Sequence, residues 1–263
     1  MARYCALFSG SKGNCTYIGT RSGGILVDVG VSAKRISEAL TAREIDPTSI
    51  QGVFITHEHT DHVAGLKVLT KRYGWTVYAS KGTLSHLLQE GCINPAVDVV
   101  PLDTAKVVVG DMCVVPFHTP HDAAESMGFC IETADERKIG VATDMGVMRQ
   151  EVQHLLSACD LVHIESNHDI TMLKSGAYPL YLKERILSNY GHLSNTMCAN
   201  TVASLGMAGV TRFTLAHLSE QNNLPSLALS ANRAALHAAG LSEGTDYVLD
   251  VASPASDKEI TVF

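Results

Sequence analysis

The 263 residues, 46% hydrophobic and 18% charged, describe an ordinary globular protein with a sizeable core. A formal charge of −7 excludes a protein that grips nucleic acid through a broad basic face, although two divalent cations would place positive charge where a phosphate binds. No run approaches the roughly 20 apolar residues that span a bilayer, and the start MARYCALFSG lacks a basic segment followed by an apolar core, so a cytoplasmic protein without membrane contact is expected.

In chain order, 24–28 reads as a strand ending on Asp28, and Ser32 then caps a helix carrying Ile36, Ala39 and Leu40. A strand over 53–56 runs into His57, and the stretch after His62 sets Leu66, Leu69 and Tyr73 at helical spacing. A strand over 77–79 precedes a helix following Thr83, with Leu84, Leu87 and Leu88. Strands over 106–109, 112–118, 128–132 and 138–144 come next, then a helix after Gly146 with Val152, Leu155 and Leu156. The remaining elements are a strand over 161–166, a helix after Ser194 (Met197, Val202, Leu205), a strand over 213–216, and a helix from Pro225 (Leu227, Ala231, Ala235). Strands that are continuously apolar belong to sheets covered on both faces, so this is an α/β chain. No linker, charge block or low-complexity tract divides it, and one domain over 1–263 is expected. The seven cysteines are scattered without a C-x-x-C pair and read as buried, reduced thiols rather than a disulfide framework or a thiolate metal site.

Ligands in α/β folds gather at the carboxyl ends of strands. Asp28, His57, His121, Asp144, Glu165 and His217 each fall at or just after the end of an apolar stretch, which suggests one shared rim. The segment Thr56-His57-Glu58-His59-Thr60-Asp61-His62 is the densest part of that rim. His57 and His59, at i and i+2 in an extended loop, can turn their rings to one ion, while Asp61 and His62 offer a carboxylate and a third imidazole to a neighbouring ion. The spacing is not H-E-x-x-H, because position 61 is aspartate and the next helix begins too late to set two histidines one turn apart.

These residues complete H-x-H-x-D-H, and the chain resembles the metallo-β-lactamase superfamily along essentially its whole length. The resemblance implies a four-layer αββα sandwich. It implies one metal ion held by His57, His59 and His121, another by Asp61, His62 and His217, Asp144 bridging the two, and Asp28 bracing the site from behind. Ser9-Gly10-Ser11-Lys12-Gly13-Asn14, His121-Asp122-Ala123, Glu165-Ser166-Asn167-His168-Asp169, Gly191-His192-Leu193-Ser194-Asn195 and His217-Leu218-Ser219 are similar to the YycJ/WalJ-like nuclease branch. That branch implies a phosphodiesterase, a 5′ to 3′ DNA exonuclease. Small departures, Lys12 for a second small residue and LVDVG for LIDAG, touch no expected ligand. The inserted domain of β-CASP nucleases and the extended arm of RNase Z are missing, which argues against a structured-RNA substrate.

Two cations about 3.5 to 4 Å apart would share and acidify a water, giving a bridging hydroxide that Asp61 can orient. Nitrogen and oxygen donors without cysteine suit zinc or manganese. Glu165 and His192 resemble the glutamate–histidine pair of RNase Z-like enzymes; a hydrogen bond from a ring nitrogen of His192 to Glu165 would fix the tautomer of His192 and leave its other nitrogen to protonate a leaving oxygen. Alternatively Glu165 is a brace and His192 a helix-entry residue before Ser194.

Ser9, Ser11, Lys12 and Asn14 belong to a loop that presents amides and a charge to a terminal phosphate, or forms an ordinary hairpin turn. His118 competes with His121 but lacks the Asp-Ala that follows it. His86, His154, His163 and His237 read as surface or packing residues, His168 and Asp169 as support for the Glu165 loop, and Lys67, Lys71 and Arg72 as a solvated helix face. The same metal site also serves small esters, thioesters, lactones and cyclic phosphates, and a regulatory protein could keep the fold without catalysis.

Overall fold

The computed structural model describes residues 1–256 and 258–263. The first half of the chain lays down β1 Arg3–Phe8, β2 Cys15–Gly19, β3 Gly24–Val27, β4 Ile50–Phe54, β5 Val77–Ser80 and β6 Val99–Leu102. The second lays down β7 Val107–Val109, β8 Met112–His118, β9 Met127–Thr133, β10 Lys138–Ala142, β11 Leu161–Glu165, β12 Arg212–Ala216 and β13 Val248–Val251. A last strand, β14 Thr261–Val262, returns to pair with β1. Two seven-stranded sheets result, in the orders β14-β1-β2-β3-β4-β5-β6 and β13-β12-β11-β10-β9-β8-β7. Each begins with antiparallel neighbours and becomes parallel, from β3 to β6 in one and β10 to β13 in the other.

The period-two alternation of strand side chains explains why both sheet faces are apolar. Tyr4, Ile18, Ile25, Val27 and Phe54 point inward to meet Met112, Val114, Phe129, Ile131 and Val141 of the other sheet. Their neighbours Cys5, Tyr17, Leu26 and Val53 point outward, under α1 Ala33–Thr41, α3 Leu66–Tyr73 and α4 Lys81–Gln89. On the far side, Val162, Ile164, Phe213 and Leu215 lie under α5 Gln150–Leu156, α8 Asn195–Met207 and α9 Pro225–Ala238. The four-layer αββα expectation holds. Among the described residues no helix is long and apolar enough to cross a membrane.

Two expected strands, 24–28 and 138–144, end before their aspartates, and the early ending shapes the site. Asp28 and Asp144 were expected inside strands but follow β3 and β10 with φ of 61° and 55°, and His217 follows β12 with φ of 54°. A left-handed residue cannot continue a strand, and outside glycine it costs roughly 1–2 kcal/mol. Each therefore turns the chain sharply at the sheet's rim. The helix expected after His62 is α3, with Leu66, Leu69 and Tyr73, and a separate single turn, α2 Thr60–Val63, precedes it and holds Asp61 and His62. The helix expected after Thr83 begins at Lys81, because Ser80 is the cap. Strands β1, β2, β6, β13 and β14 and the helices α6 Ile170–Ser175 and α7 Leu180–Leu187 were not anticipated. The cysteines are free, as expected, but Cys92, Cys113 and Cys130 are only partly buried.

Candidate metal centre

The rim where the two sheets meet brings together every residue of the expected constellation. One sheet contributes the loop after β3 with Asp28 and the segment after β4 with His57 to His62. The other contributes His121 after β8, Asp144 after β10, Glu165 at the end of β11 and His217 after β12. His192 enters from the turn between α7 and α8. Gly30 permits the closest approach in this assembly: a Cβ there would lie 1.6 Å from the carbonyl oxygen of Asp61.

Possible metal donors fall into overlapping groups whose atoms lie within 4.8 Å of one another: His57, His59 and His121; Asp61, His62 and His217; His57, His62 and Asp144; and Asp144, Glu165, His192 and His217. Asp144 therefore belongs to two groups that otherwise share no residue. Its Oδ2 lies 3.4 Å from His62 Nε2 and its Oδ1 lies 3.5 Å from His217 Nε2. Two atoms test whether the cluster fits a metal. His121 Nε2 and Asp144 Oδ2 are buried without a hydrogen-bond partner in the protein, an arrangement that is costly unless a cation or solvent satisfies them. The donors are nitrogen and oxygen only, and divalent metal ions fit them.

Charge points the same way. Asp28, Asp144 and Glu165 are almost wholly buried, and Asp61 is beside them. Burial opposes a proton on His62, yet Asp28 and Asp144 hold its pKa well above the ordinary value. Burial likewise opposes charge on His217, but Asp144, Asp61 and Glu165 push it up to about 10. Burial lowers His57, with His62, His121 and His59 adding to the effect, and burial also lowers His121. These shifts favour neutral rings at His57 and His121, the form in which an imidazole binds a metal, and favour a proton on His62 and His217 that a cation at Nε2 would displace.

The supports behind the donors are specific. Thr56 donates from its amide to Asp28 Oδ1 at 2.9 Å, and His62 Nδ1 donates to Asp28 Oδ2 at 2.8 Å, which turns His62 Nε2 into the site. His121 Nδ1 donates to the carbonyl of Gly191 at 3.1 Å. Glu165 accepts from His192 Nδ1 at 2.7 Å and from His217 Nδ1 at 3.1 Å on Oε1, and from the amides of Met145 and Leu193, both at 3.1 Å, on Oε2. Among the described residues no protein group engages His192 Nε2, and the ring lines the pocket beside Asp61 and Asp144.

The loop between β1 and β2 is arranged differently from the expected phosphate cradle. Ser9 is buried and its hydroxyl accepts from the His217 amide at 2.8 Å. Asn14 is buried too, its amide nitrogen 3.2 Å from His62 Nε2 and its backbone N–H on the Asp61 carbonyl. Both side chains engage the protein because the turn packs directly against two donor loops. Ser11 faces the pocket, and Lys12 is exposed but paired with Glu220 at 2.5 Å. His118 is exposed and outside the cluster. His168 is buried behind Glu165, and Asp169 caps α6.

Sequence reading missed Thr56, which bridges Asp28 and the histidine segment, and Arg185, which lines the pocket and holds Asp122 beside His121. The threonine was visible within the motif. The arginine had no signal, since α7 was not recognised as an element.

A family model for a beta-lactamase superfamily domain matches residues 24–221. The chain belongs to the metallo-β-lactamase superfamily. Within it, the chain is 32% identical to exodeoxyribonuclease YycJ of Bacillus anthracis, over 98% of this chain and 97% of the relative. It is also 32% identical to exodeoxyribonuclease WalJ of Streptococcus pneumoniae, with the same coverage. The metallo-β-lactamase fold protein YhfI from Bacillus subtilis superposes with a TM-score of 0.74 at 13% identity, covering 97% of this chain and 98% of that one. This last likeness concerns the fold alone.

Proposed function

We infer that the chain is a cytoplasmic phosphodiesterase dependent on two metal ions, zinc or manganese, and that it shortens DNA from the 5′ end. The exodeoxyribonuclease names of two relatives spanning nearly the whole chain support the substrate class. The observation that carries the chemistry is the 2.7 Å contact between Glu165 and His192 beside a complete donor set. His57, His59 and His121 would hold one ion, Asp61, His62 and His217 the other, and Asp144 would bind both. When bound, the ions supply Lewis acidity toward phosphoryl oxygens and an acidified water as nucleophile.

The chain's own residues do the rest. Asp61, 26% exposed at the pocket floor, orients the attacking water through its carboxylate. Glu165 holds His192 in the tautomer whose Nδ1 carries a proton toward Oε1, so protonated His192 offers its second proton from Nε2 to the departing 3′ oxygen. Asp28 acts through His62 and Thr56 rather than on the substrate. Ser11 and Lys12 form the 5′-phosphate end of this reading. The amides of Ser9, Gly10, Gly13 and Asn14 already donate within the protein, so the grip is narrow.

The test is a hydrolysis panel on metal-defined protein: 5′-phosphorylated single- and double-stranded DNA, RNA, a cyclic nucleotide, a β-lactam and an acyl-glutathione thioester. Nucleotide release from DNA, faster with a 5′-phosphate than a 5′-hydroxyl and slowed by Lys12→Ala, is expected. Turnover of the thioester or cyclic nucleotide without any DNA cleavage would overturn the assignment.

A further inference from the structure

One wall of the pocket is formed by Tyr178, Leu182, Arg185 and Ile186, from α7 and the residue preceding its cap. The outer surface of the same segment is unusual. Leu180 is 71%, Tyr181 72% and Tyr190 58% exposed. Tyr181 and Tyr190 are the only exposed aromatic residues among the described residues, and both lie in this segment. An isolated exposed apolar residue needs no explanation, but exposed aromatic residues confined to the segment that walls a polar cleft point to a contact surface.

The position and charge of this cluster define what it contacts. The carbonyl of Tyr190 accepts from the amide of Asp122, next to His121, which ties the backbone carrying this ring to the rim of the metal cluster. Tyr181 lies one helical turn before Arg185, on adjoining helix positions. The stretch 174–190 carries Lys174, Lys183 and Arg185 against the single acid Glu184, in a chain whose net charge is −7. Asp122 takes two of Arg185's nitrogens, and Nη1 has no partner among the described residues. Aromatic rings interleaved with cations suit a chain of unpaired bases and phosphates, since bases stack on aromatic faces irrespective of sequence. A duplex, with its bases stacked on one another, offers such rings little.

We propose that α7 and its flanking turns are a stacking platform for single-stranded DNA, with Tyr181 and Tyr190 each supporting an unpaired base and Arg185 holding an intervening phosphate as the strand enters the metal site. This deepens the reading of the site as a DNA phosphodiesterase and rests on it. It also answers how an acidic protein without a basic face retains a strand: stacking replaces most of the electrostatic grip.

The experiment compares wild type, Tyr181→Ala, Tyr190→Ala, Tyr181→Phe and Tyr190→Phe, with Val108→Ala, an exposed apolar residue on β7, as control. Two readouts are taken on the full metal-loaded chain. The first is kcat/KM on a single-stranded oligonucleotide and on bis(p-nitrophenyl) phosphate. The second is anisotropy binding, with calcium in place of the active metal, of normal and abasic oligonucleotides and of a blunt duplex. Each alanine variant is expected to lose on the order of 5- to 100-fold in single-strand affinity and kcat/KM, well beyond any change on the small phosphodiester. Phenylalanine should restore it, and the abasic strand should bind wild type as weakly as the alanine variants bind the normal one. Unchanged single-strand binding in both alanine variants, equal losses on the small phosphodiester, or failure of phenylalanine to rescue would overturn the platform. If wild type cleaves no phosphodiester, the function assigned to the site fails, and the binding arm still decides the platform.

Discussion

Glu165→Gln is the substitution whose consequences the geometry constrains most tightly. The side chain is fully buried and its two oxygens meet four donors, the imidazoles of His192 and His217 and the amides of Met145 and Leu193. Glutamine has the same size but only one oxygen. With that oxygen toward the histidines, the amide group faces two backbone N–H groups; reversed, it faces two ring N–H groups. Either way two buried donors lose their acceptor, at ~1–3 kcal/mol each, or about 2–6 kcal/mol in sum. Since 1 kcal/mol moves the midpoint of a chain of this size by ~2–4 °C, Tm should fall by roughly 5–20 °C. The negative charge beside His192 disappears in both orientations, so turnover of a natural phosphodiester should drop by ~10²- to 10⁴-fold. Calorimetry of the metal-replete variant, paired with kcat on an oligonucleotide, measures both. A Tm within about 2 °C of wild type together with unchanged turnover would show that Glu165 is not the shared acceptor.

Asp144→Asn and His59→Ala should each lower bound metal while the sheets stay folded; two equivalents retained by either, measured by elemental analysis, would remove that residue from the ligand set. His192→Ala should keep its metals and lose ~10²- to 10⁴-fold on DNA but little on an activated aryl phosphodiester, whose leaving group needs no proton; equal losses on both would make the residue a positioning group. Behind the site on β11, burial, with a smaller contribution from His217, pushes His163 down to about 3, and the Tyr4 hydroxyl lies 2.7 Å from its Nδ1. Its folded pKa lies below the unfolded value near 6.5, so the stability it contributes is full above pH ~6.5 and is lost as pH falls toward 3, reaching about 2 kcal/mol at pH 5. His163→Gln should remove that dependence, and urea-unfolding free energies of the two proteins that run parallel between pH 7.5 and 5 would contradict it.

The site was legible because its residues announce themselves by type and by place. His57, His59, Asp61 and His62 are dense, and Asp28, Asp144 and His217 follow apolar stretches whose strand character is plain. The exact strand ends were not legible, because a left-handed aspartate looks like a strand residue until the fold shows where the sheet stops. Strand β1 (RYCALF) was missed although its run from Tyr4 to Phe8 is as apolar as the strands that were recognised; it is short, opens on Arg3 and passes directly into the SGSKGN turn. Helix α7 was missed for a different reason: Ile186 is its only buried residue, so no apolar stripe marks it, and with it went Arg185, Tyr181 and Tyr190. Lys12 and Asn14 were visible as residues, yet nothing in SGSKGN says that one pairs with Glu220 and the other packs against His62. Contacts across long sequence separation leave no local trace.

The proposed ligands are divided between two sheets, with the histidine segment on one and His121, Asp144 and His217 on the other, joined near the site by the Met127 amide on the Thr56 carbonyl at 2.9 Å. Neither sheet alone offers a full donor set for the two ions. The spacing of two bound ions would then be set like the jaws of a caliper, by how Phe54 meets Phe129 in the layer between. Affinity and selectivity for metal become properties of the core, so a one-methylene change deep between the sheets could retune which ion is held without touching a single ligand.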